Sequence, residues 1–274
     1  MTITPNLSNH DYHDHAAIGS TGLKLILRSP AHFRYQEPVE HDTRAKQLGT
    51  ALHCALLEPD RFPLAYHVAA CDDRRSALYK GLAADVGAAY VLTETEHRRI
   101  INAQRSAYRN PVARELLEYP GRYELTVMAK CPETGVQVKC RFDKKLDDLR
   151  AFDLKKTQDA RAGAFGRSID AYQYYLSVAF YMDVWYWATG ERIVDMPLIA
   201  IEEKSPHACV VHRLPDDWIQ QGRYEYQQAL RVYAECLEKD EWPSYEDDEV
   251  VAEMPAWRVR ELEDETEIGG LSDE

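Results

Sequence analysis

The sequence predicts an α/β protein in which helices flank a central mixed β-sheet. Three observations carry that expectation. The first third of the chain has helical periodicity and cap signals. Residues 123–157 hold three short strand-like runs joined by turns. A long helical stretch then separates the third run from two more, as a parallel crossover requires.

Taken in order, "IGSTGLKLILRSPAHFRYQ" offers Ser20 and Thr21 as helix N-caps, and Pro30 divides it into two short helices. "QLGTALHCALLEP" forms a compact helix ended by Pro59. In "TETEHRRIINAQRSAYRN", Thr93 and Glu96 have capping-box spacing. "YELTVMAK" and "GVQVKCRFDKKL" flank the hairpin turn "CPETG", and "RAFDLKKT" supplies a third strand. One helix is expected over about Ser168–Ala188, strands near "DMPLIAIEEK" and "ACVVHRL", and a last helix over about Pro215–Leu237.

The 274 residues fit one domain over 1–244, mainly helical to 120 and sheet-bearing from 121, followed by an acidic tail over 245–274. The tail reads as a disordered, solvated end, with docking of a partner as the functional alternative. The start lacks a secretory leader, and apolar runs fall short of the roughly 20 residues of a membrane helix, so a cytoplasmic protein with no membrane partner is expected. Six scattered cysteines without a CxxC pair argue against a zinc ribbon, a disulfide framework or an iron–sulfur nuclease.

Net charge is −13, which disfavours nucleic acid until its distribution is considered. Residues 245–274 hold twelve acids against Arg258 and Arg260, whereas Lys139–Arg167 holds nine Lys/Arg against five Asp. The local field at a site matters more than the sum over the chain.

The chemistry concentrates in "RFDKKLDDLRAFDLKKT" at 141–157. A turn centred on Asp148 sets Asp143 opposite Asp153, and Lys155 shares a face with Asp153. Two carboxylates that close demand a cation, and a hard divalent ion such as Mg²⁺ supplies it. Lys155 would orient or deprotonate water, while Lys139, Arg141, Lys144, Lys145, Lys156 and Arg161 would hold a phosphodiester. The alternative is a solvated hairpin. "HDYHDHAAIG" reads as an N-terminal arm, not a metal site, and the stripe Tyr174, Val178, Tyr181, Trp185 reads as core, with base stacking as its alternative.

These residues resemble a known family. D-(x)9-D-x-K is the PD-(D/E)xK nuclease pattern, and blocks along nearly the whole chain resemble RecE-type exodeoxyribonuclease VIII. They include "DYH" at 11–13, "LGTALHCALLEPDRF" at 48–62, "CPETG" at 131–135, "CRFDK" at 140–144, "FDLKKT" at 152–157, "VAFYMD" at 178–183, "LEKDEWP" at 237–243 and "MPAW" at 254–257. The resemblance implies a restriction-endonuclease-like core and Mg²⁺-dependent 5′–3′ degradation of one strand of linear double-stranded DNA, with Mn²⁺ as substitute and two ions per site. It also implies a homo-oligomeric ring and a RecT-like single-strand annealing partner.

By the same resemblance, Asp143, Asp153 and the Leu154 carbonyl are metal ligands, Lys155 is the catalytic lysine, and His53 ligates or positions metal. A core histidine is the alternative for His53. Glu124 is a candidate additional ligand or an exposed strand-end acid. Ser20, Thr21, Lys24 and Arg28 lie where relatives bind a terminal 5′ phosphate, and a helix N-terminus suits an anion; plain capping explains the first two equally. The family's glutamine four residues before Tyr181 is Ser177 here, with Gln173 a turn earlier as its substitute. Two other readings are another PD-(D/E)xK nuclease and a non-catalytic DNA-binding or recombinase-docking protein.

Overall fold

The computed structural model describes residues 2–4, 7–37, 43–245 and 249–269. The chain forms two compact units, 1–242 and 243–274. The first begins with β1 (Thr2–Thr4), α1 (Asn9–Asp14), α2 (Ser20–Arg28), α3 (Pro30–Arg34), α4 (Arg44–Leu57), α5 (Phe62–Ala65) and β2 (His67–Ala69). It continues through α6 (Ala77–Val86), β3 (Val91–Thr93), α7 (Glu94–Arg109), α8 (Pro111–Glu118), β4 (Gly121–Lys130), β5 (Gln137–Leu146) and β6 (Ala151–Thr157). It closes with α9 (Ala162–Ala171), α10 (Tyr174–Thr189), β7 (Leu198–Glu202), β8 (Cys209–His212) and α11 (Asp216–Lys239).

Six strands form a mixed sheet in the order β1-β4-β5-β6-β7-β8. Only β6 and β7 run parallel, joined by the α9–α10 crossover; the other neighbours are antiparallel. β2 and β3 make a separate parallel pair, which the sequence reading did not anticipate.

Each face of the large sheet packs on helices. Leu125, Val127, Cys140, Phe142, Ala151, Leu198 and Ala200 meet α2, α10 and α11. Leu146, Phe152, Leu154, Ile199 and Ile201 meet α4, α7 and α8. β6 and β7 are covered on both faces, as expected for the parallel centre of a sheet.

Local chemistry fixes several boundaries. Thr93 Oγ1 accepts from Glu96 N at 3.2 Å and the Glu96 carboxylate accepts from Thr93 N at 3.0 Å, completing the predicted capping box. Asn110 ends α7 and caps α8, accepting from the Val112 and Ala113 N–H groups at 3.0 and 3.1 Å, with Pro111 next in line. Gly135, at φ 74°, closes the β4–β5 turn by donating to the Cys131 carbonyl.

The single helix expected over Ser168–Ala188 is two, α9 and α10, divided where Gln173 adopts φ 49° and ψ 47°. Distant partners satisfy this break. Lys24 Nζ donates to the Tyr172 carbonyl at 2.8 Å, and the Gln173 amide donates to Glu225 of α11 at 3.5 Å. The N-terminal arm includes a short helix, α1, which Ser8 Oγ caps by accepting from Asp11 N.

In the second unit, α12 (Ala256–Gly269) is a helix within the segment read from sequence as a disordered tail; positions 246–248 and 270–274 of that segment lie outside the described residues. Among the described residues no helix is long and apolar enough to cross a membrane.

Candidate active site

β4 and β5 pair from Gly121–Leu146 to Lys130–Gln137, with one interruption where Glu124 stands opposite Asp143. The strands change step there. Phe142 and Leu125 face α10, whereas two residues away Lys144 and Tyr123 face α8. Regular alternation would keep residues i and i+2 on one face. Glu124, at φ 45°, takes up the change in β4, a backbone region that non-glycine residues rarely occupy.

The β5–β6 ladder stops at the adjacent pair, Lys144–Phe152. Asp143 and Asp153 come next in register, as the sequence predicted, but the backbone pairing has ended. The Leu154 N–H donates instead to Asp143 Oδ2 at 2.6 Å. An N–H and C=O of one strand residue point to the same edge, so the Leu154 carbonyl faces the same gap. The Asp143 carboxylate thus lies between strands, rather than simply beside Asp153 on one face.

His53 reaches this gap from α4, whose neighbouring residues Ala51, Leu52, Cys54, Ala55, Leu56 and Leu57 are buried. His53 Nδ1 lies 3.6 Å from Asp143 Oδ1. One donor atom each from His53, Glu124 and Asp143 falls within 4.8 Å of the others, the only such metal-ligating group among the described residues. Asp153 is not part of this tight group; its carboxylate is paired with the Lys155 ammonium.

Asp153 and Lys155 share the face of β6 that looks toward α2 and α10. Lys155 Nζ sits 4.9 Å from the Tyr174 ring centre, and Lys24 Nζ sits 5.9 Å from the same ring. Tyr174 was assigned to the core stripe from sequence; its position against Lys155 brings it into the site. No sequence signal marked it, because the helix break at Gln173 that precedes Tyr174 rests on contacts distant in sequence.

The electrostatics suit a bound cation. Burial pushes the Asp143 carboxyl well above its ordinary range, and Asp153 adds to the shift. Burial also raises Glu124, against the opposing Arg141 guanidinium 3.9 Å away. Burial holds the His53 imidazole down at about 4, hence neutral and able to ligate at pH 7. Burial opposes the charge on Lys155, but Asp153 and Asp143 outweigh it and raise the ammonium above the ordinary lysine value. Lys155 is therefore held as an ammonium beside Asp153, in the form that can orient a water molecule. Oxygen-rich donors that resist ionising, beside one neutral imidazole, fit a hard divalent ion.

Several predicted phosphate contacts are occupied elsewhere. Lys144 is 1% exposed and donates to the Leu117 carbonyl at 2.6 Å, because the change of step turns it under α8. Lys145 is buried against Trp185 and donates to the Leu146 carbonyl. Lys139 donates to the Tyr12 and His15 carbonyls and Arg141 to those of Leu7 and Ser8, so both tie the N-terminal arm to β5.

Ser20 is buried, bonded to Tyr181, and Gly19 is the actual N-cap of α2; Thr21 is exposed on the first turn. Tyr181 packs edge-on against Phe142 and is partly buried against the core, as the helical stripe predicts. Gln173 lies at the break before α10, with its amide directed to Glu225 at 3.5 Å.

Lys24 lies close enough to Lys155 and Asp153 to feel both charges. Lys156 pairs with Glu203 at 3.1 Å at the margin of the site, while Arg28 and Arg161 are exposed. Arg161 is bound to Asp159. His10 pairs with Asp14 at the surface, as suits a non-metal arm.

A mixed sheet carrying an acid pair and D-x-K on adjacent central strands, with a crossover helix behind them, defines a PD-(D/E)xK-type core. Residues 19–253 match the PDDEXK-like domain of unknown function (DUF3799), and the chain belongs to that family, within the PD-(D/E)xK nuclease superfamily. In structure it is similar to a crystal structure named "Putative exonuclease" from Eubacterium rectale, with a TM-score of 0.61 over 94% of this chain and 98% of that one. Identity is 12%, so this likeness bears on the fold alone. No curated protein matches the sequence.

Proposed function

We propose that the chain is a Mg²⁺-dependent 5′–3′ exodeoxyribonuclease that shortens one strand of linear double-stranded DNA and leaves 3′ single-stranded ends. The observation that carries it is the convergence of His53, Glu124 and Asp143 within 4.8 Å, next to the Asp153–Lys155 pair. Polarity and the preference for DNA rest on the family resemblance of the sequence blocks.

Glu124, Asp143, Asp153, His53 and the Leu154 carbonyl would hold Mg²⁺, or Mn²⁺ in its place, and in-line displacement favours two ions. When bound, such ions neutralise phosphate charge and acidify water. The rest falls to the chain. Hydrolysis forms a bond from water oxygen to phosphorus and breaks a phosphorus–ester oxygen bond, while negative charge grows on the phosphoryl oxygens. The Lys155 ammonium, fixed by Asp153 and covered by Tyr174, is preorganised to face that charge. Asp143, anchored by the Leu154 N–H, keeps β5 and β6 apart so that phosphate can reach the donors.

A ring-shaped homo-oligomer and a RecT-like annealing partner belong to the same reading through the resemblance. The test is digestion of 5′-labelled and 3′-labelled linear duplex with Mg²⁺, beside Asp153→Ala. Release of label from the 5′ end first, absent in the variant, is expected. Equal inertness of both proteins across divalent metals would favour a non-catalytic DNA-binding protein.

A further inference from the structure

Tyr172 stands at the break between α9 and α10, immediately outside the site, and no role has yet been given to it. Its side chain is exposed, at 62%, yet its ring is ordered by a neighbour. It stacks on Tyr174 with ring centres 5.5 Å apart and planes inclined by 25°. Residues i and i+2 bring their rings together here because Gln173 between them is left-handed, at φ 49° and ψ 47°.

The arrangement is braced from three sides. Lys24 Nζ holds the Tyr172 carbonyl at 2.8 Å and also approaches the Tyr174 ring. The Gln173 amide is tied to Glu225. Tyr174 lies over Lys155, 4.9 Å from Nζ. Two aromatic rings thus step outward from the lysine beside the acids, the inner one packed and the outer one with an open face. Core packing explains Tyr174 but not Tyr172, whose exposed ring contributes little to the fold.

We propose that Tyr172 is a stacking platform for an unpaired nucleobase, placing the strand whose phosphate lies at Lys155. A stack of this kind tolerates any base, since every base presents a π-face, and selects strands whose bases are free of a duplex. Tyr172 is a positioning residue: it touches the base and leaves the reacting phosphate to the acids and Lys155. The inference rests on the nuclease reading for the identity of that phosphate, but not for the stacking itself.

The experiment uses the full chain with Ca²⁺ as the metal, and short single strands carrying either a normal nucleotide or an abasic one at each terminal position in turn. Binding is read by fluorescence anisotropy, and cleavage is then read with Mg²⁺. For Tyr172→Ala, binding of the normal strand is expected to weaken about tenfold, the scale of one lost base–aromatic stack, while the strand with the abasic nucleotide at the stacking position binds as to wild type. Tyr172→Phe restores the affinity, and the loss in cleavage appears in KM rather than kcat.

Equal binding of Tyr172→Ala and wild type to the normal strand, with Mg²⁺ cleavage intact and Asp153→Ala inert, overturns the platform and leaves the nuclease standing. Base-dependent binding by a wild-type protein that cuts neither these strands nor linear duplex with Mg²⁺ keeps the platform and removes the nuclease. Absence of any strand binding by a wild-type protein that still digests linear duplex overturns the platform and leaves the nuclease standing.

Discussion

Glu124 and Asp143 face each other across β4 and β5 at the single position where those strands stop pairing. Their side chains meet because the sheet changes step between them, which frees both from regular alternation. An acid at either position in an uninterrupted ladder would project to one face. Here the two converge on the gap that His53 enters from α4.

Removing the positive charge beside the acids tests its role in hydrolysis. Lys155→Met is expected to lower the cleavage rate by about 10²–10³-fold, the scale of one lost preorganised charge-stabilising group. Mg²⁺ binding measured by calorimetry should persist, since Glu124, Asp143 and His53 are untouched.

The metal-free protein should be less stable at neutral pH than in mild acid through its acid pair. Burial raises Asp143 and Glu124, so the folded state binds their protons more tightly than the unfolded chain does. That stability is complete below the ordinary carboxylate value and is lost as pH rises through the folded values. Mg²⁺ at 100 times its Kd should restore about 2.7 kcal/mol. Asp143→Asn, whose amide oxygen can still accept from Leu154, should flatten the slope and abolish most of the metal-induced gain in melting temperature.

Lys144 should affect stability and not DNA affinity. Burial lowers its ammonium to about 8, so above that pH the folded protein releases a proton that the unfolded chain keeps up to roughly 10.4. Its contribution to stability therefore rises with pH across that window. Lys144→Met should flatten this rise in chemical denaturation at pH 8 and 10, and leave DNA binding at wild-type strength.

The bracing of the site depends on how closely α10 and α11 approach. A Cβ added at Gly222 would lie 2.6 Å from the Tyr175 carbonyl oxygen and 3.0 Å from the Ala179 Cβ. Gly222→Ala should cost about 1–3 kcal/mol, as overpacking does, in equilibrium denaturation. Gly163→Ala, with nothing within 4 Å of the added atom, is the matched control.

Much of this was legible where local signals and the fold agree. Thr93 and Glu96 announce a cap, and the spacing of Asp143 from Asp153 gives the hairpin register. The change of step was not legible, because it requires Glu124 to adopt φ 45°, and nothing local in "YELTV" favours that. It is what moves Lys144 under α8 and Asp143 into the gap. The break at Gln173 was hidden likewise, since Lys24 and Glu225, which satisfy it, are distant in sequence.

The inward turn of Lys139, Arg141, Lys144 and Lys145 also alters what surrounds a polyanion approaching this protein. Ammonium and guanidinium groups already wrapped in carbonyl oxygens displace no condensed counterions from a DNA helix. Four of the nine cations between Lys139 and Arg167 therefore act as internal mortar, and under the proposed function a DNA strand would meet fewer surface charges there than the sequence count suggests. Under that reading, DNA binding should fade less steeply as ionic strength climbs than nine phosphate-holding cations would make it.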